Sequence, residues 1–449
     1  MPATWRGSAT TTVVDPVLAH WWRQVNDVQV VALVDAALDN SPDVLSAQAR
    51  LRAARALLSA AGADLGPTLE ASTGASRSRG SRETGSSGDV RTLYQAGFDA
   101  RWEADLFGAN RRTLEATRAD AVASEYSLAD AQASLVAEVV TNVVRYRSTV
   151  QRLDIARRNL AAQSETLQLT DWRTQAGLGS SLELEQARSN RAQTDAQIPA
   201  LETTRDGYAN ALAVLVGVAP GQLQAQLGGT TELPGLPDIV DTGVPADVLR
   251  QRPDLRAAER QLAAATARIG AAQAQRYPSI VLSGSLGLEA LSFGALGGAE
   301  ALTRSLAASI GATVFDGGRL RAQVDLQRAN RDEALEAYRK SVLVALQDVE
   351  DALVSVSNGR RRVDALASAA ESARNAALLA RHQYEAGIVD FQTVLDTERT
   401  RLSAEDSHAT ARADLVAAQV QLMKALGGGW VPDDIQPDTE AHTIVGMIK

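Results

Sequence analysis

"LYQAGFDARWEADLF", residues 93–107, alternates almost strictly between apolar and polar side chains. Tyr94, Ala96, Phe98, Ala100 and Trp102 share one parity, while Gln95, Gly97, Asp99, Arg101 and Glu103 share the other. Side chains of a strand repeat every two residues, so each set belongs to one face. The alternation predicts a strand over 92–104. Three more stretches obey the same rule, at 67–79, 278–290 and 303–315. Ile280, Leu282, Gly284, Leu286 and Leu288 oppose Ser279, Ser283, Ser285 and Glu289, and Leu306, Ala308 and Ile310 alternate with Ser309 and Gly311. Leu69, Ala71 and Ala75 make the weakest such face.

Outward from these strands the pattern changes to helix. Residues 109–176 contain neither glycine nor proline, and apolar residues recur every three or four positions, as in Val136, Val139, Val140, Val143, Val144 and Tyr146. Such a helix is roughly 100 Å long. Residues 320–386, interrupted only by Gly359, form its counterpart. Returning helices are expected at about 182–216 and 391–426, antiparallel to the first pair, packed as coiled coils with alanine-rich seams. Pro199 should kink or interrupt the first of them.

The chain also matches itself. "LDNSPDVLSAQAR" from Leu38 aligns with "LRQRPDLRAAERQ" from Leu249, pairing Pro42 with Pro253 and Asp43 with Asp254 at an offset of 211 residues. The same offset pairs Pro67 with Pro278. Further on, Phe107 meets Phe315, Gly177 meets Gly387, and Gly217 meets Gly427. The expected organisation is a first repeat over 1–217, a linker over 218–246, a second repeat over 247–430 and a tail over 431–449. Each repeat reads helix, strand, strand, long helix, tight turn, helix.

Roughly ten residues with one apolar and one small polar face suit a membrane-spanning strand, with lipid on one side and water on the other. A surface sheet packed on helices would alternate in the same way. The long Gly/Ser-rich connections "RSRGSRETGSSGD" and "EALSFGALGGAEALT", and helices too long and narrow to cover a sheet, favour the membrane strand. Four strands cannot close a barrel, and hydrocarbon does not tolerate an open edge. Several chains must therefore share one barrel, and three would supply twelve strands.

Composition narrows the function classes. The chain has 449 residues, 45% of them hydrophobic and only 4% aromatic, with a net charge of −9. That charge, without a basic stripe, argues against a nucleic-acid partner. There is no cysteine, so thiolate chemistry and cysteine-based zinc sites are excluded. No run of 18 apolar residues could form a transmembrane helix. The N-terminal "MPATWRGSATTTVVDPVLAHWW" lacks the apolar core of a secretory signal. His20, His382, His408 and His442 lack ligand spacing, and no Walker loop, HExxH or GxSxG motif occurs. No catalytic residue, cofactor or metal site is expected.

"RWEADLFGANRR", "LRQRPDLRAAERQLAAATARIGAAQAQRYPSI", "VFDGGR" and "LMKALGGGW" resemble the outer-membrane efflux factors of the TolC type, specifically the NodT-like lipoprotein branch. The resemblance runs from about Trp21 to Trp430. It implies a mainly α protein with a small β part: a homotrimer with a shared twelve-stranded outer-membrane barrel and a long α-helical periplasmic tunnel. It further implies the outer membrane of a Gram-negative bacterium, a periplasmic adaptor and a proton-driven inner-membrane transporter as partners, and efflux of small amphiphiles as the function. The same architecture serves export of polypeptide, and a coiled-coil scaffold is the alternative from another class. Members usually begin with a signal peptide and a lipid-modified cysteine; this chain has neither.

The candidate sites follow from the repeat and the resemblance. The turns "AGLGSS" and "AGIVD" are the two hairpin tips, and Gly177, Leu178, Ser180, Gly387 and Ile388 are the expected adaptor-docking residues. A plain glycine turn would look the same. Glu183, Glu185, Asp390 and Asp396 lie just past the tips; the resemblance matches Glu183, Asp396 and Tyr384 to a periplasmic gate, to which Asp390 is added by its position. An inward ring of carboxylates would attract cations, although solvated helix charges read alike. An arginine two residues past the second tip glycine completes the gate elsewhere in the family; here that residue is Val389. Tyr94, Phe98, Trp102, Ile280, Leu282 and Leu286 are the expected lipid-facing residues of the barrel.

Overall fold

A computed structural model describes residues 18–84, 88–228, 230–236 and 249–430. The expected tail at 431–449, the end of the linker from residue 237 and His442 lie outside these residues. The elements run α1 (Val28–Asn40), α2 (Pro42–Ala63), β1 (Thr68–Arg79), β2 (Val90–Ala104), α3 (Ala109–Gln175) and α4 (Ser181–Val216). They continue with α5 (Pro253–Ala274), β3 (Ser279–Ala290), β4 (Leu302–Gly311), α6 (Arg319–Glu385) and α7 (Phe391–Ala425). Both α3 and α6 span 67 residues, about 100 Å each. By their contacts the residues fall into two compact units.

One unit comprises 49–125 and 257–340. It holds an antiparallel sheet of order β1-β2-β3-β4. The register places Ala71, Phe98 and Leu286 in one row, and Trp102, Leu282 and Ala308 in another. All the apolar parities therefore share one face. The other face carries Glu70, Asp99, Ser285 and Ser305 side by side, and the hydroxyls of Ser285 and Ser305 lie 2.7 Å apart. Gly97 and Gly287 meet across the ladder on this polar face. A Cβ on Gly97 would lie 2.9 Å from the Gly287 Cα, so nothing larger fits without displacement. One end of the sheet runs into α2, α3, α5 and α6, and the other carries the hairpin connections.

The strand ends differ from expectation at one place of consequence. β4 stops at Gly311, not at residue 315, and β1 and β3 start one residue later than expected. Gly311 pairs with Ser279, and the residue before Ser279 is Pro278, which has no N–H to continue the ladder. Val314 and Phe315 are left exposed outside the strand. β2 begins at Val90, two residues early, because Arg79 is still there to pair with it.

The other unit comprises 126–256, the residues up to 48 and those from 341 on. Its core is the valine stripe on α3, whose Val136, Val139, Val140, Val143 and Val144 are completely buried. They pack with Val30 and Val34 of α1, Leu212 and Val216 of α4, and Val420 and Met423 of α7. Each such side chain stabilises the fold by about 1.5–3 kcal/mol relative to exposure. Arg147, one turn beyond the stripe, is also buried. It is held by Asp27, by Gln29 Oε1 at 2.7 Å and by the Glu232 carbonyl at 3.0 Å. Asp27 caps α1 by accepting from the amides of Gln29 and Val30. Burial pushes its carboxyl up, but Arg147 and these amides outweigh that and hold it below the usual carboxylate range.

Ala370, Ala373, Ala377 and Ala380 are buried along α6 at three- and four-residue spacing, the expected alanine seam. Pro199 does not interrupt its helix. α4 is continuous from Ser181 to Val216. The proline removes one donor, to the carbonyl of Asp195, and Asp195 stands at an exposed position where water can replace it.

Candidate functional site

The two helix hairpins of the second unit end in turns of the same construction. Gly177 has φ +71° and Gly387 φ +74°, a left-handed conformation that strains any other residue. Leu178 N–H donates to the Arg173 carbonyl and Gly177 N–H to Thr174; Ile388 N–H donates to Gln383 and Gly387 N–H to Tyr384. These paired bonds, reaching back five and three residues, satisfy the last carbonyls of α3 and α6. Leu178 and Ile388, each 72% exposed, project from the turns into solvent. Leu182 and Trp172 add further exposed apolar surface that the sequence reading did not single out.

Each return helix begins with a side-chain cap. Ser180 Oγ accepts from Glu183 N–H, and Glu183 Oε2 accepts from Ser180 N–H, a reciprocal capping box. Asp390 accepts from the backbone N–H of Thr393 at 2.9 Å and from its hydroxyl at 2.6 Å. Those bonds hold the Asp390 carboxyl below its usual range. This cap therefore strengthens above the ordinary carboxylate pKa and is lost as pH falls through the lower folded value. Glu185 pairs with Arg188 at 2.7 Å. Asp396 is the exception: it is exposed, its carboxylate accepts one hydrogen bond, from Gln392 Nε2 at 3.0 Å, and it makes no ion pair among the described residues. Of the tip acids, Asp396 has the freest carboxylate.

Tyr384 stands apart from these exposed acids. It is 3% exposed and packs with Phe391, Val394 and Leu395 of α7 and Ala187 of α4. Its ring lies 5.6 Å from that of Phe391. The guanidinium of Arg173 sits 4.6 Å from the centre of the Tyr384 ring and donates to the Tyr384 carbonyl at 3.2 Å. Arg173 comes from the first hairpin and Tyr384 from the second. A cation here also favours the C-terminus of α6. The sequence reading did not single out this arginine, which lies on the opposite hairpin from Val389.

Glu398, two residues past Asp396, was also missed. It is 4% exposed, accepts from Thr166 Oγ1 at 3.0 Å, and leaves its second carboxylate oxygen unpartnered. Burial pushes its carboxyl up, against the opposing influence of Thr166, Arg401 and Arg381. Around it the interior is polar. Gln163 is buried with its amide unpaired, Asn159 accepts from Arg401 Nε at 3.0 Å, and Asn190 accepts from Arg399 Nε at 3.0 Å. Because the folded state holds the Glu398 proton more tightly, stability should rise as pH falls from neutral through the folded value, above the ordinary 4.5. Glu398→Gln keeps the acceptor for Thr166 without the charge. Its melting temperature is expected to exceed the wild type's at pH 7 and to converge on it in acid; a parallel offset at all pH values would count against the buried charge.

The six residues expected on the apolar face of the sheet lie there together. Tyr94 stacks edge-on to Phe293 at 5.9 Å near the hairpin end. Trp102 Nε1 donates to the Leu65 carbonyl at 2.9 Å near the helix end. Phe98 falls midway between them on β2. Among the described residues no cluster of His, Cys, Asp and Glu is placed to hold a metal ion.

Sequence comparison places these elements among known proteins. The chain is 34% identical over 442 residues to the pyoverdine export outer membrane protein OpmQ of Pseudomonas aeruginosa, covering 96% of this chain and 92% of that protein. It is 31% identical to nodulation protein T of Rhizobium leguminosarum bv. viciae, covering 99% and 91%. Among solved structures, the outer-membrane channel OprN superposes with a TM-score of 0.87 at 35% identity, covering 96% of this chain and 99% of that one. The profile described as "Outer membrane efflux protein" matches twice, over residues 33–218 and 244–428. The chain belongs to the outer membrane efflux protein family.

Proposed function

We propose that this efflux protein acts as one third of a homotrimeric outer-membrane duct, through which small amphiphiles leave the periplasm without energy input at this protein. The observation that carries the reading is the sheet. It has four strands, one apolar and one polar face, and two unpaired edges at β1 and β4. Those edges need partners in hydrocarbon, and three copies give a twelve-stranded barrel of ordinary size. The apolar face with Phe98, Leu286 and Leu282 then meets lipid, and the Ser285 face lines the water-filled mouth. The double profile match supports two repeats of one unit, 1–217 and 247–430, joined by a linker over 218–246.

The helices form the periplasmic tunnel of such a duct. Its lower aperture is the pair of hairpin tips, with Tyr384 and Arg173 holding the hairpins together and Asp396 as the inward carboxylate. Gly177, Leu178, Ser180, Gly387 and Ile388 offer a docking surface to a periplasmic adaptor, through which a proton-driven inner-membrane transporter supplies the energy. Export of pyoverdine by the similar OpmQ favours a small-molecule cargo over polypeptide.

The particle in detergent is expected to contain three chains; a monomer or dimer would remove the shared barrel. In a planar bilayer with a salt gradient, Asp396→Asn is expected to move the reversal potential toward lower cation preference with trimer mass unchanged. An unmoved potential would make Asp396 an ordinary solvated charge.

A further inference from the structure

The two faces of the sheet carry charge differently. The polar face holds Glu70, Asp99, Glu103 and Glu289 beside Arg91 and Arg101. The apolar face carries no carboxylate on any strand. Its charged residues are Arg77, Arg79 and Arg304, all arginine.

Their positions along the strands are also alike. β1 ends at Arg79, with Arg77 two residues before; β4 begins at Leu302, with Arg304 two residues after. All three therefore lie within about 7 Å of the hairpin ends of their strands. Arg304 pairs in register with Leu286, yet its short distance to the end of β4 lets the guanidinium reach past Leu302. The side chains of Arg77 and Arg304 make no ion pair or hydrogen bond among the described residues, while that of Arg79 uses only Nε, donating to the Gly88 carbonyl at 2.7 Å. The acids nearby, Glu83, Asp89 and Glu300, lie in the connections, not on this face. An unpaired cation on a lipid-facing surface is costly in hydrocarbon and tolerable at its boundary, where an anion can meet it.

β1 and β4 are the sheet edges. In a closed barrel of three copies, β4 of one copy runs antiparallel beside β1 of the next, so Arg304 comes to the same seam as Arg77 and Arg79. We propose that these three arginines form, at each seam, a phosphate-binding cluster for the phosphorylated glycolipid of the outer leaflet. The inference rests on the three-chain barrel proposed above. Arginine forks match phosphate oxygens in pairs. A headgroup with two phosphates offers each fork its own pair of oxygens, whereas in a phospholipid with one phosphate the forks compete for the same few oxygens. The hairpin end is the exterior end because the opposite end joins the helices. The bound lipid would bridge two copies and seal the seam.

The test uses the full-length protein in phosphatidylcholine nanodiscs, titrated with bisphosphorylated lipid A, phosphatidylglycerol and inorganic phosphate. Wild type is expected to bind the lipid A at least about tenfold more tightly than Arg77→Gln/Arg79→Gln/Arg304→Gln does. Phosphatidylglycerol and free phosphate should bind weakly to both. The triple lysine variant keeps the charge and should fall between them, which separates lost recognition from lost folding. Equal lipid A affinity in wild type and the glutamine variant would overturn the proposal, as would phosphatidylglycerol binding as tightly as lipid A. Wild type that is monodisperse and monomeric without detergent would sink the barrel reading itself, and this site with it.

Discussion

Phe98→Arg is expected to abolish assembly in the membrane, whereas Ser285→Arg should leave it intact. Phe98 lies four residues from Tyr94 and four from Trp102 on β2, midway between the aromatic residues near the two ends of the sheet. At that depth of the proposed barrel a charge costs about 2–4 kcal/mol per copy, and the proposed trimer bears it three times. Its side chain cannot escape: the hairpin end of β2 is eight residues away, against two for Arg304. Ser285 occupies the opposite face, directly across from Asp99. An arginine there meets a carboxylate on the neighbouring strand in water. Heat-resistant trimer on a gel, measured for both variants expressed at equal level, gives the comparison. Equal loss from both would mean that strand parity does not separate lipid from lumen.

That parity was readable from residues 93–107 alone, because a half-buried strand must alternate whatever its partners are. The long helices were equally legible: nothing in 109–176 breaks a helix, and α3 runs from Ala109 to Gln175. The end of β4 was not. Its own alternation continues to Val314, but the ladder ends where the partner strand meets Pro278, and that pairing is a tertiary fact. At Pro199 the helix is not interrupted, since one lost donor at an exposed position does not outweigh a 36-residue helix.

The tip residues divide along the same line. The glycine turns and their caps are local, and "GLGSSLE" spells a turn followed by a capping box before any fold is known. Glu183 and Asp390 were thus conspicuous as acids near the tips, yet their bonds lie mainly within their own helix starts. Glu398 was invisible because "TERTR" reads as a solvated helix surface. It is buried only in the folded chain, where Thr166 of α3 donates to it. Arg173 was hidden for the same reason: its partner, Tyr384, is 211 residues away.

Phe391→Ala tests whether the Tyr384 cluster holds the aperture closed. Phe391 is 1% exposed and supports the Tyr384 ring from the first turn of α7. Truncating a buried phenylalanine costs about 3–5 kcal/mol, because the space it leaves is only partly refilled. That loss falls on a small cluster of five buried residues at the end of the unit, while the valine core at Val136–Val144 is untouched. The proposed trimer should therefore persist while the tips separate, and single-channel conductance should rise several-fold. Arg173→Ala separates a latch from a simple loss of packing. It removes the stacked guanidinium and its bond to the Tyr384 carbonyl but leaves the apolar cluster whole, so conductance should again rise while melting temperature moves far less. Coupling is expected between the two, with the double variant opening little more than Phe391→Ala alone, since both release the same hairpin. If both single variants conduct like wild type, the Tyr384 cluster is packing for the hairpin ends and the constriction lies elsewhere along the lumen.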